Sequence, residues 1–313
     1  MDALSAVVDG IRLGDSRHLE LSLGEDHAVQ LDSPGVAGFH ALVEGEAWYT
    51  FAGGEPTRIR PGELLLFSAG VEHRILVGDP GRVRVHNMAE LLDAPPGRSR
   101  LCRLGDPAAR ALLLTGQFRV DALASQRLSG SLPPVIHVRA NPLPPTWLVT
   151  GIRFIRDELG ADQPGNMVIL NRLMDITLVQ CVRYCLDNGL VAGRGWLAGL
   201  ADTALARALA VMHAEPDGAW RLEALAKLAG LSRAVFAARF REQVGETPIE
   251  YLTSVRMTMA SRLLRETALP LEQVARRCGY ESSQAFNRAF QRRVGQSPGR
   301  YRRAQSGTSV PAL

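Results

Sequence analysis

One pattern occurs twice in the last third of the chain, as LEALAKLAG at residues 222–230 and as LEQVARRCG at residues 271–279. Each copy continues through a serine to two phenylalanines four residues apart: Phe236 with Phe240, and Phe286 with Phe290. The spacing agrees between the copies except for one extra residue between the second glycine and its first phenylalanine. A repeat of about 50 residues that occurs only twice is too short for a solenoid, so it indicates a duplicated structural unit.

The first half of each copy is typical of two helices that cross closely. Ala226 and Ala275 lie in the middle of the first helix, where a small side chain lets a second helix approach at a steep angle. Gly230 and Gly279 follow where the chain must leave that helix, a position that favours positive φ. Each copy is therefore predicted to contain a tight turn between two crossed helices.

The second half of each copy predicts how the second helix is oriented. Ser232 and Ser282 are suited to capping it. The phenylalanines four residues apart share one face and would anchor the helix in a core. The opposite face is then free to enter a major groove of DNA, which is the arrangement of a helix-turn-helix unit.

A single helix is predicted to join the two units. Thr247-Pro248 and Ser297-Pro298 each read as a cap followed by the first helical residue. The helix between the units is predicted over 248–266 and is long enough to hold them a fixed distance apart. Its predicted inward residues are Tyr251, Leu252, Val255, Met259, Leu263 and Leu264.

The region 203–303 resembles the DNA-binding domain of the AraC/XylS family of bacterial regulators. The resemblance is carried by ARRCGYESSQAFNRAF at 275–290 and by GQSPGRYR at 295–302. It implies recognition helices at 232–243 and 282–293 that enter adjacent major grooves on one face of double-stranded DNA. It also implies transcription regulation, with RNA polymerase as a further partner if the protein is an activator.

The helix faces opposite the phenylalanines predict which side chains meet DNA. We call the recognition helices at 232–243 and 282–293 the first and second readers. In the second reader, the amide and guanidinium groups are suited to hydrogen bonds with base edges or phosphates. In the first reader, the alanines can contact the methyl group of thymine but cannot form a bidentate pair of hydrogen bonds with a base. The alternative is a solvated face that makes phosphate contacts alone. The candidate DNA-binding residues are Arg233, Ala234, Ala237, Ala238, Ser283, Gln284, Asn287 and Arg288.

Composition and charge agree with a DNA-binding protein. The chain has 313 residues, 46% of them hydrophobic and 22% charged, with a net charge of +4. Residues 202–303 hold 17 arginine or lysine residues against 10 acidic ones, and the rest of the chain is slightly acidic. Positive charge is thus concentrated where attraction to phosphate is useful. No apolar run reaches 18 residues, so no membrane partner is expected, and the expected location is the cytoplasm, at the nucleoid.

The first two-thirds of the chain predict a different architecture. Short apolar runs separated by Gly, Pro and Asp indicate strands of a sandwich or barrel at 40–43, 47–51, 64–67, 74–77 and 83–86. Helical spacing begins after Pro144 and indicates helices at 147–159 and 166–186. Four glycines in 188–199 indicate a linker.

Residues 36–73 resemble the small cupin barrel that precedes some AraC/XylS domains, through FHALVEGE at 39–46, RPGEL at 60–64 and GVEH at 70–73. MDALS at 1–5, LPPVIHV at 132–138 and GWL at 195–197 extend the resemblance to nearly the whole chain. The predicted fold class is therefore α+β multidomain, an N-terminal cupin-like β-barrel with flanking helices and a C-terminal all-α domain with two helix-turn-helix units. The predicted domains are a sensory and dimerisation domain at 1–187 (barrel about 1–135, helices about 146–187), a linker at 188–201, the DNA-binding domain at 202–303 and a tail at 304–313.

His40 and His73 are the candidate effector-pocket residues. Cupin enzymes bind a metal with three histidines and a glutamate, but the paired histidines that would precede His40 are absent. We therefore expect no metal, no other cofactor and no catalytic residues, and an interior that holds a small-molecule or oxidant effector. Two alternatives stay open: a metal-dependent cupin enzyme fused to a DNA-binding module, and an architectural DNA-binding protein without signal input.

The cysteines leave two questions open. Cys181 and Cys185 lie one helical turn apart and are interpreted as buried side chains rather than a metal or redox pair. Some regulators that resemble this subgroup sense reactive chlorine through a cysteine just before a Gly-x-Phe, where this chain has Thr115; Cys102 is interpreted as a core residue.

A homodimer is expected, either through an apolar stripe on helix 166–186 or without it if that stripe packs inside its own domain. The stripe comprises Leu170, Leu173, Met174, Thr177, Cys181 and Tyr184.

Overall fold

In the structure, a computed structural model, the chain divides into two units. It describes residues 4–5, 13–32, 34–93, 101–106, 111–120, 131–161, 163–191 and 193–306. We call the unit within 12–191 the sheet unit and the unit from 192 onward the helical unit.

The described part of the sheet unit contains eleven strands and three helices. The strands are β1 Leu13–Leu23, β2 His27–Leu31, β3 Val36–Gly45, β4 Ala47–Phe51, β5 Thr57–Ile59, β6 Leu64–Phe67, β7 His73–Val77, β8 Arg84–Asn87, β9 Leu101–Leu104, β10 Ala111–Val120 and β11 Val135–Val138. The helices are α1 Met88–Asp93, α2 Thr146–Ala161 and α3 Asn166–Asp187. All five strands and both helices expected from the sequence are present, with ends shifted by a few residues.

The strands form two separate sheets. One has six strands in the order β11-β6-β3-β10-β1-β9, and the other has five in the order β5-β4-β7-β2-β8. The pairs are antiparallel except β1 with β9 and β2 with β8. In the described residues no strand hydrogen-bonds one sheet to the other, so the prediction of a closed barrel is wrong. The observed form is a two-sheet sandwich, the other possibility that the strand spacing allowed.

The two sheets pack face to face around a single apolar core. Alternate residues of β1 (Leu19, Leu21 and Leu23) point into it and are nearly inaccessible to solvent. Side chains from the five-stranded sheet, including Val29 of β2 and Ile75 of β7, belong to the same cluster. Because side chains alternate across a strand, each sheet buries one face, and the two faces share this core.

Helices α2 and α3 pack on each other and on the six-stranded sheet. The side chain of Asn171 on α3 accepts a hydrogen bond from Ser16 of β1, and Arg156 on α2 pairs with Glu20 of β1. Four residues of the stripe considered for dimerisation are buried against the rest of the sheet unit, and the other two are half-buried. The stripe therefore packs inside its own domain, the alternative that the sequence left open; the buried members are Leu170, Met174, Thr177 and Cys181.

The helical unit contains eight helices in its described part. They are α4 Trp196–Ala201, α5 Thr203–Ala214, α6 Leu222–Ala229, α7 Arg233–Val244, α8 Pro248–Glu266, α9 Leu271–Arg277, α10 Ser283–Val294 and α11 Pro298–Ser306. The two readers begin one residue later than predicted, and the joining helix α8 has the predicted bounds. Its inward residues were predicted correctly except that Met259 is half-buried, while Met257 is fully buried.

Local signals in the sequence determine these helix ends. Ser232 and Ser282 accept hydrogen bonds from the backbone N–H groups of Val235 and Ala285, as caps should. Thr247 and Glu250 form a reciprocal capping box at the start of α8, where Pro248 is the first helical residue.

The two turns between crossed helices require glycine. Gly230 has φ of +70° and Gly279 has φ of +74°, which other residues adopt only with strain. At Gly279 a Cβ atom would also come within 2.9 Å of the backbone of Asp217, so there is no space for a side chain.

The end of the predicted linker is helical. The structure places α4 over the last six of residues 188–201, and Trp196 and Leu197 are buried against α5 and α7. Their apolar side chains explain the difference, because the glycines that suggested a linker lie mostly before them. The predicted tail 304–313 is described only as far as 306, which still belongs to α11. Among the described residues, none of the helices combines the length and apolar character needed to cross a bilayer.

Candidate DNA-binding surface and sensory pocket

Each reader helix is anchored by a buried aromatic cluster. In α7, the rings of Phe236 and Phe240 lie 5.6 Å apart, and Phe240 makes an edge contact with Tyr251 of α8 at 5.6 Å. The equivalent cluster of α10 joins its two phenylalanines to Tyr301 of α11, with ring separations of 5.7 and 5.5 Å. All four phenylalanines are fully buried. The two readers are therefore held in the same way at positions 50 residues apart.

The faces opposite these rings are open to solvent. Six of the eight predicted DNA-binding residues are exposed, and Ala237 and Ser283 are half-buried. Exposure is what a contact residue needs, but it does not by itself assign the contact. The exposed six are Arg233, Ala234, Ala238, Gln284, Asn287 and Arg288.

Further exposed side chains lie on the same faces and were missed from the sequence. Val235 is 51% exposed on the first reader, and Arg241 and Arg292 are exposed near the C-terminal ends of the two readers. The helical period would have found the two arginines, since each lies three or four residues beyond a predicted contact residue on the same face.

Two arginines of the first reader have acidic partners within the helical unit. Arg233 lies 3.1 Å from Glu223 of α6, and both side chains are largely exposed. Arg239 pairs with Asp202, whose other oxygen caps α5. Apart from these two arginines, the exposed side chains at 233–239 are Ala234, Val235 and Ala238, which are apolar.

His40 and His73 lie together inside the sheet unit. His40 lies on β3 of the six-stranded sheet, and His73 lies on β7 of the five-stranded sheet. Their Nε2 atoms are 2.9 Å apart. Both side chains are almost completely buried, and the ring of Phe67 stacks on His73 with centroids 3.6 Å apart. The structure therefore brings together the two predicted effector-pocket residues.

Their hydrogen bonds define where the protons are. The carbonyl of Val71 accepts from Nδ1 of His73, so Nε2 of His73 is an acceptor when the ring is neutral. Nε2 of His40 must then donate to it, which leaves Nδ1 of His40 to accept from the Thr115 hydroxyl at 2.6 Å. Thr115 occupies the position where resembling regulators carry a cysteine, so in this chain that position orients a histidine.

Both histidines are held in the neutral form. Burial, together with the nearby His73, lowers the pKa of His40 well below its usual value. Burial also lowers the pKa of His73 to about 4, and the hydrogen bond to Val71 only partly opposes this. The pair is therefore uncharged at neutral pH.

The residues present do not fit the metal centre that the cupin fold suggests. The two Nε2 atoms that a cation would use point at each other across one hydrogen bond, and both Nδ1 atoms are engaged. Within the described ranges, no group of three or more His, Cys, Asp or Glu side chains is placed to hold a metal ion.

A second buried pair, Glu63 with His137, was not singled out from the sequence. His137 Nε2 lies 2.9 Å from a Glu63 oxygen, and the same carboxylate accepts from the backbone of Arg60 and Ala140. Burial would raise the pKa of Glu63, but these hydrogen bonds outweigh it and lower the pKa; burial lowers the pKa of His137. The only sequence signal was that both residues lie in motifs of the cupin resemblance.

A groove of about 620 Å³ opens at one end of the five-stranded sheet. Its wall contains His73, Phe51, Val71 and Pro134, which join one end of the histidine pair to an apolar surface. Glu72 and Arg74 lie at its polar side, and Gln30 is hydrogen-bonded to both. His40 does not line the groove but lies behind His73.

The cysteines lie in surroundings that favour the thiol form. Burial raises the pKa of Cys185 to about 11 and raises that of Cys181 still further, with help from its neighbour. Burial also raises the pKa of the half-buried Cys102. Since the thiolate is the reactive form, none of these three side chains is activated in this structure.

Both regions match known protein families. Residues 2–187 match the model of a cupin, and residues 225–304 match the model of a helix-turn-helix domain. The protein is thus a DNA-binding transcription regulator with an N-terminal cupin domain.

Its relatives define the family. The chain is 31% identical over 306 residues to the transcriptional regulator AlkR of Acinetobacter baylyi, which covers 96% of this chain and 99% of that protein. A Streptomyces lividans protein named an AraC-like transcription regulator is 33% identical, over 97% and 98% of the two chains. The solved DNA-binding domain of AdpA, in complex with a target DNA, is 34% identical with a TM-score of 0.30, over 31% of this chain and 86% of that chain.

The chain belongs to the AraC-type family of transcription regulators, as the sequence motifs predicted. The matching relatives are transcription regulators, which supports this function over the alternative of a cupin enzyme fused to a DNA-binding module.

The neutral histidine pair predicts a pH dependence for the sheet unit. Below about pH 6.5 the two histidines become protonated in the unfolded chain but stay neutral in the folded protein, because their pKa values are lowered there. The free energy of unfolding is therefore unaffected above that pH and decreases as the pH falls toward 4. His73 alone accounts for about 3 kcal/mol of this loss at its limit. Native-state hydrogen exchange of the β3 and β7 amides between pH 7 and 4.5 measures it.

The variant His73→Gln keeps an acceptor for His40 and should make that dependence shallower. His86→Gln, at a partly exposed histidine of β8, is the control and should leave most of the slope. An unchanged slope in His73→Gln would show that the pair is not the source.

Proposed function

We propose that α7 and α10 are the two recognition helices and that their outward faces contact DNA in successive major grooves. The observation that supports this most is the equivalence of the readers: the same buried ring pairs, the same serine caps and the same offset of 50 residues, with opposite faces left exposed. Family membership gives the ligand class, double-stranded DNA.

In the second reader the outward groups suit hydrogen bonding to base edges. Gln284 and Asn287 offer amides that match adenine, and Arg288 offers a guanidinium that matches guanine. All three are exposed, and Arg288 lies one helical turn beyond Gln284. Ser283, half-buried at the start of the helix, is better placed for a phosphate than for a base.

Arg288→Ala should weaken specific binding while the fold is kept. If the guanidinium reads a guanine, the loss is about 1–3 kcal/mol and is confined to one base position. The measurement is affinity at fixed salt for a duplex selected from random DNA by the full-length protein. Arg207→Ala, at an exposed arginine of α5, is the matched control.

Two results would count against this orientation of α10. One is an affinity for the selected duplex that is unchanged in Arg288→Ala. The other is an equal loss on all sequences, which would indicate a phosphate contact instead.

We further propose that the sheet unit is the sensory domain and that its effector occupies the groove beside His73. The groove has the size of a small-molecule site and combines an apolar wall with a few polar groups. An effector that binds two arrangements of the protein with different affinity would shift their populations and so regulate DNA binding.

Thermal unfolding against a panel of metabolites and oxidants tests the sensory role. A compound in the groove should raise the melting temperature of the wild type. Its effect should be lost in Val71→Trp, which fills the groove, and kept in Val85→Trp, at an exposed valine of β8. If no compound in the panel acts, the architectural alternative without signal input is favoured; an effect that survives Val71→Trp places the effector elsewhere.

We also propose a homodimer, formed through α2 and α3. Several large apolar side chains are exposed on this helix pair, although soluble monomers rarely expose such patches together. A second copy is the favoured occupant because pairing two DNA-binding units multiplies the phosphate charge engaged. The side chains are Val149, Phe154, Val168, Ile169 and Ile176.

Ile176→Glu should convert this dimer to a monomer, because it would bury a charge at the interface. Sedimentation at micromolar concentration measures the change. Gln163→Glu, which adds the same charge in the exposed turn between the helices, is the control. A wild type that sediments as a monomer, or a dimer that survives Ile176→Glu, contradicts the proposal. A contact with RNA polymerase, which an activator requires, stays a prediction.

A further inference from the structure

The two readers present different chemistry at equivalent positions. Counting 50 residues from one to the other, Ala234 corresponds to Gln284 and Ala238 to Arg288. Both members of each pair are exposed, and they lie on the face opposite the buried rings. The first reader thus carries methyl groups where the second carries an amide and a guanidinium.

Val235 adds to this apolar surface. Its side chain is 51% exposed, although a large apolar side chain in a soluble domain is usually buried. It follows Ala234 directly and lies about one helical turn before Ala238, in the first turns of α7, the part of a recognition helix that contacts base edges.

The nearby arginines have acidic partners, and the more exposed of the two ion pairs, that of Arg233, is weak enough to exchange for DNA. Arg233 points to Glu223, and Arg239 pairs with Asp202. Arg241 and Glu242 are exposed, but they belong to the last turns of the helix. Apart from Arg233, the outward surface of the first two turns of α7 can therefore offer few hydrogen bonds to a base.

The major groove offers such a surface one bulky apolar partner. Base edges carry hydrogen-bond donors and acceptors, and the largest apolar group beside them is the C5 methyl group of thymine. An exposed valine or alanine gains free energy when it is buried against that methyl group, and it gains none from the polar edges.

From this contrast we infer that the first helix-turn-helix unit reads thymine methyl groups through Ala234, Val235 and Ala238, while the second unit reads bases by hydrogen bonds. The inference rests on the proposed function in one respect, that α7 enters a major groove. Under this inference, the first unit has a preference for thymine that comes from apolar contacts and not from hydrogen bonds.

The competing occupant of this surface is a protein. Leu228 of α6 is also partly exposed, and an apolar patch can dock a partner. DNA is favoured because the patch lies on the reader whose anchors and cap match those of α10. The helix-turn-helix match at 225–304 includes all of α7.

The experiment uses a duplex selected from random DNA by the full-length protein. The half-site whose base preferences change in Arg288→Ala belongs to α10, and the other half-site belongs to α7. Each thymine is then replaced in turn by deoxyuridine, which removes only the methyl group. Replacement of a contacted thymine in the α7 half-site should lower affinity about fourfold, the effect of one buried methyl-sized group. The same replacement in the α10 half-site should have little effect.

A double-mutant cycle assigns the effect to the protein surface. In Val235→Ala, replacing the contacted thymine by deoxyuridine should leave the affinity almost unchanged, because the two changes remove the same contact. Ala285→Gly, at the equivalent position of α10, is the control and should leave the loss intact.

The outcomes separate this inference from the proposed function. If selection enriches no sequence at all, recognition by these helices fails and the inference fails with it. If a sequence is enriched but deoxyuridine is tolerated throughout the α7 half-site, the proposed function stands and the inference is overturned. Unchanged affinity in Val235→Ala together with that tolerance would show that the patch does not contact DNA.

Discussion

The burial of paired aromatic rings is the interaction on which the DNA-binding unit depends. Each reader has two phenylalanines four residues apart, and both pairs are fully buried beside a tyrosine from the following helix. Rings of this size bury much apolar surface and fix the rotation of the helix about its own axis. Because that rotation is fixed, the opposite face must be exposed, and whatever residues stand there become the DNA-facing surface. Evolution can therefore alter the outer face without disturbing the anchor, which explains how two copies with one scaffold present an apolar surface in α7 and a polar one in α10.

In the sheet unit, two groups of buried polar side chains are held by hydrogen bonds to one another and to the backbone. Thr115, His40 and His73 form one chain of hydrogen bonds that ends at a backbone carbonyl, so neither ring needs a charge or a metal to satisfy it. Glu63 keeps its charge because three donors surround it. One end of the histidine chain reaches the wall of the groove. A ligand there that disturbs His73 would also disturb the hydrogen bonds behind it, which is a physical route from binding to a change in the sandwich.

Local signals made most of the helical unit predictable. Caps, prolines and glycines mark helix ends within one or two residues, so α8 was predicted with its observed bounds and both readers within one residue. Long-range pairing was not predictable in the same way. Strand β1 pairs with β10 almost a hundred residues away. The residues of the two strands do not indicate whether the sheets close into a barrel. A barrel was therefore expected where the structure has a sandwich. Glu63 and His137 were missed for the same reason, because only the pairing of β6 with β11 brings them together. Trp196 was placed in a linker because the glycines before it outweighed its own tendency to be buried.

The central claim is that one rigid scaffold presents two readers to one face of a duplex. The joining helix α8, with 19 residues, is about 28 Å long, close to the rise of one turn of B-DNA, about 34 Å. The most direct measurement is a methylation-protection and hydroxyl-radical footprint of the protein on a selected duplex. The account predicts two protected major-groove segments about one helical turn (10–10.5 base pairs) apart on the same face. A single protected segment, or two segments on opposite faces of the duplex, would contradict it.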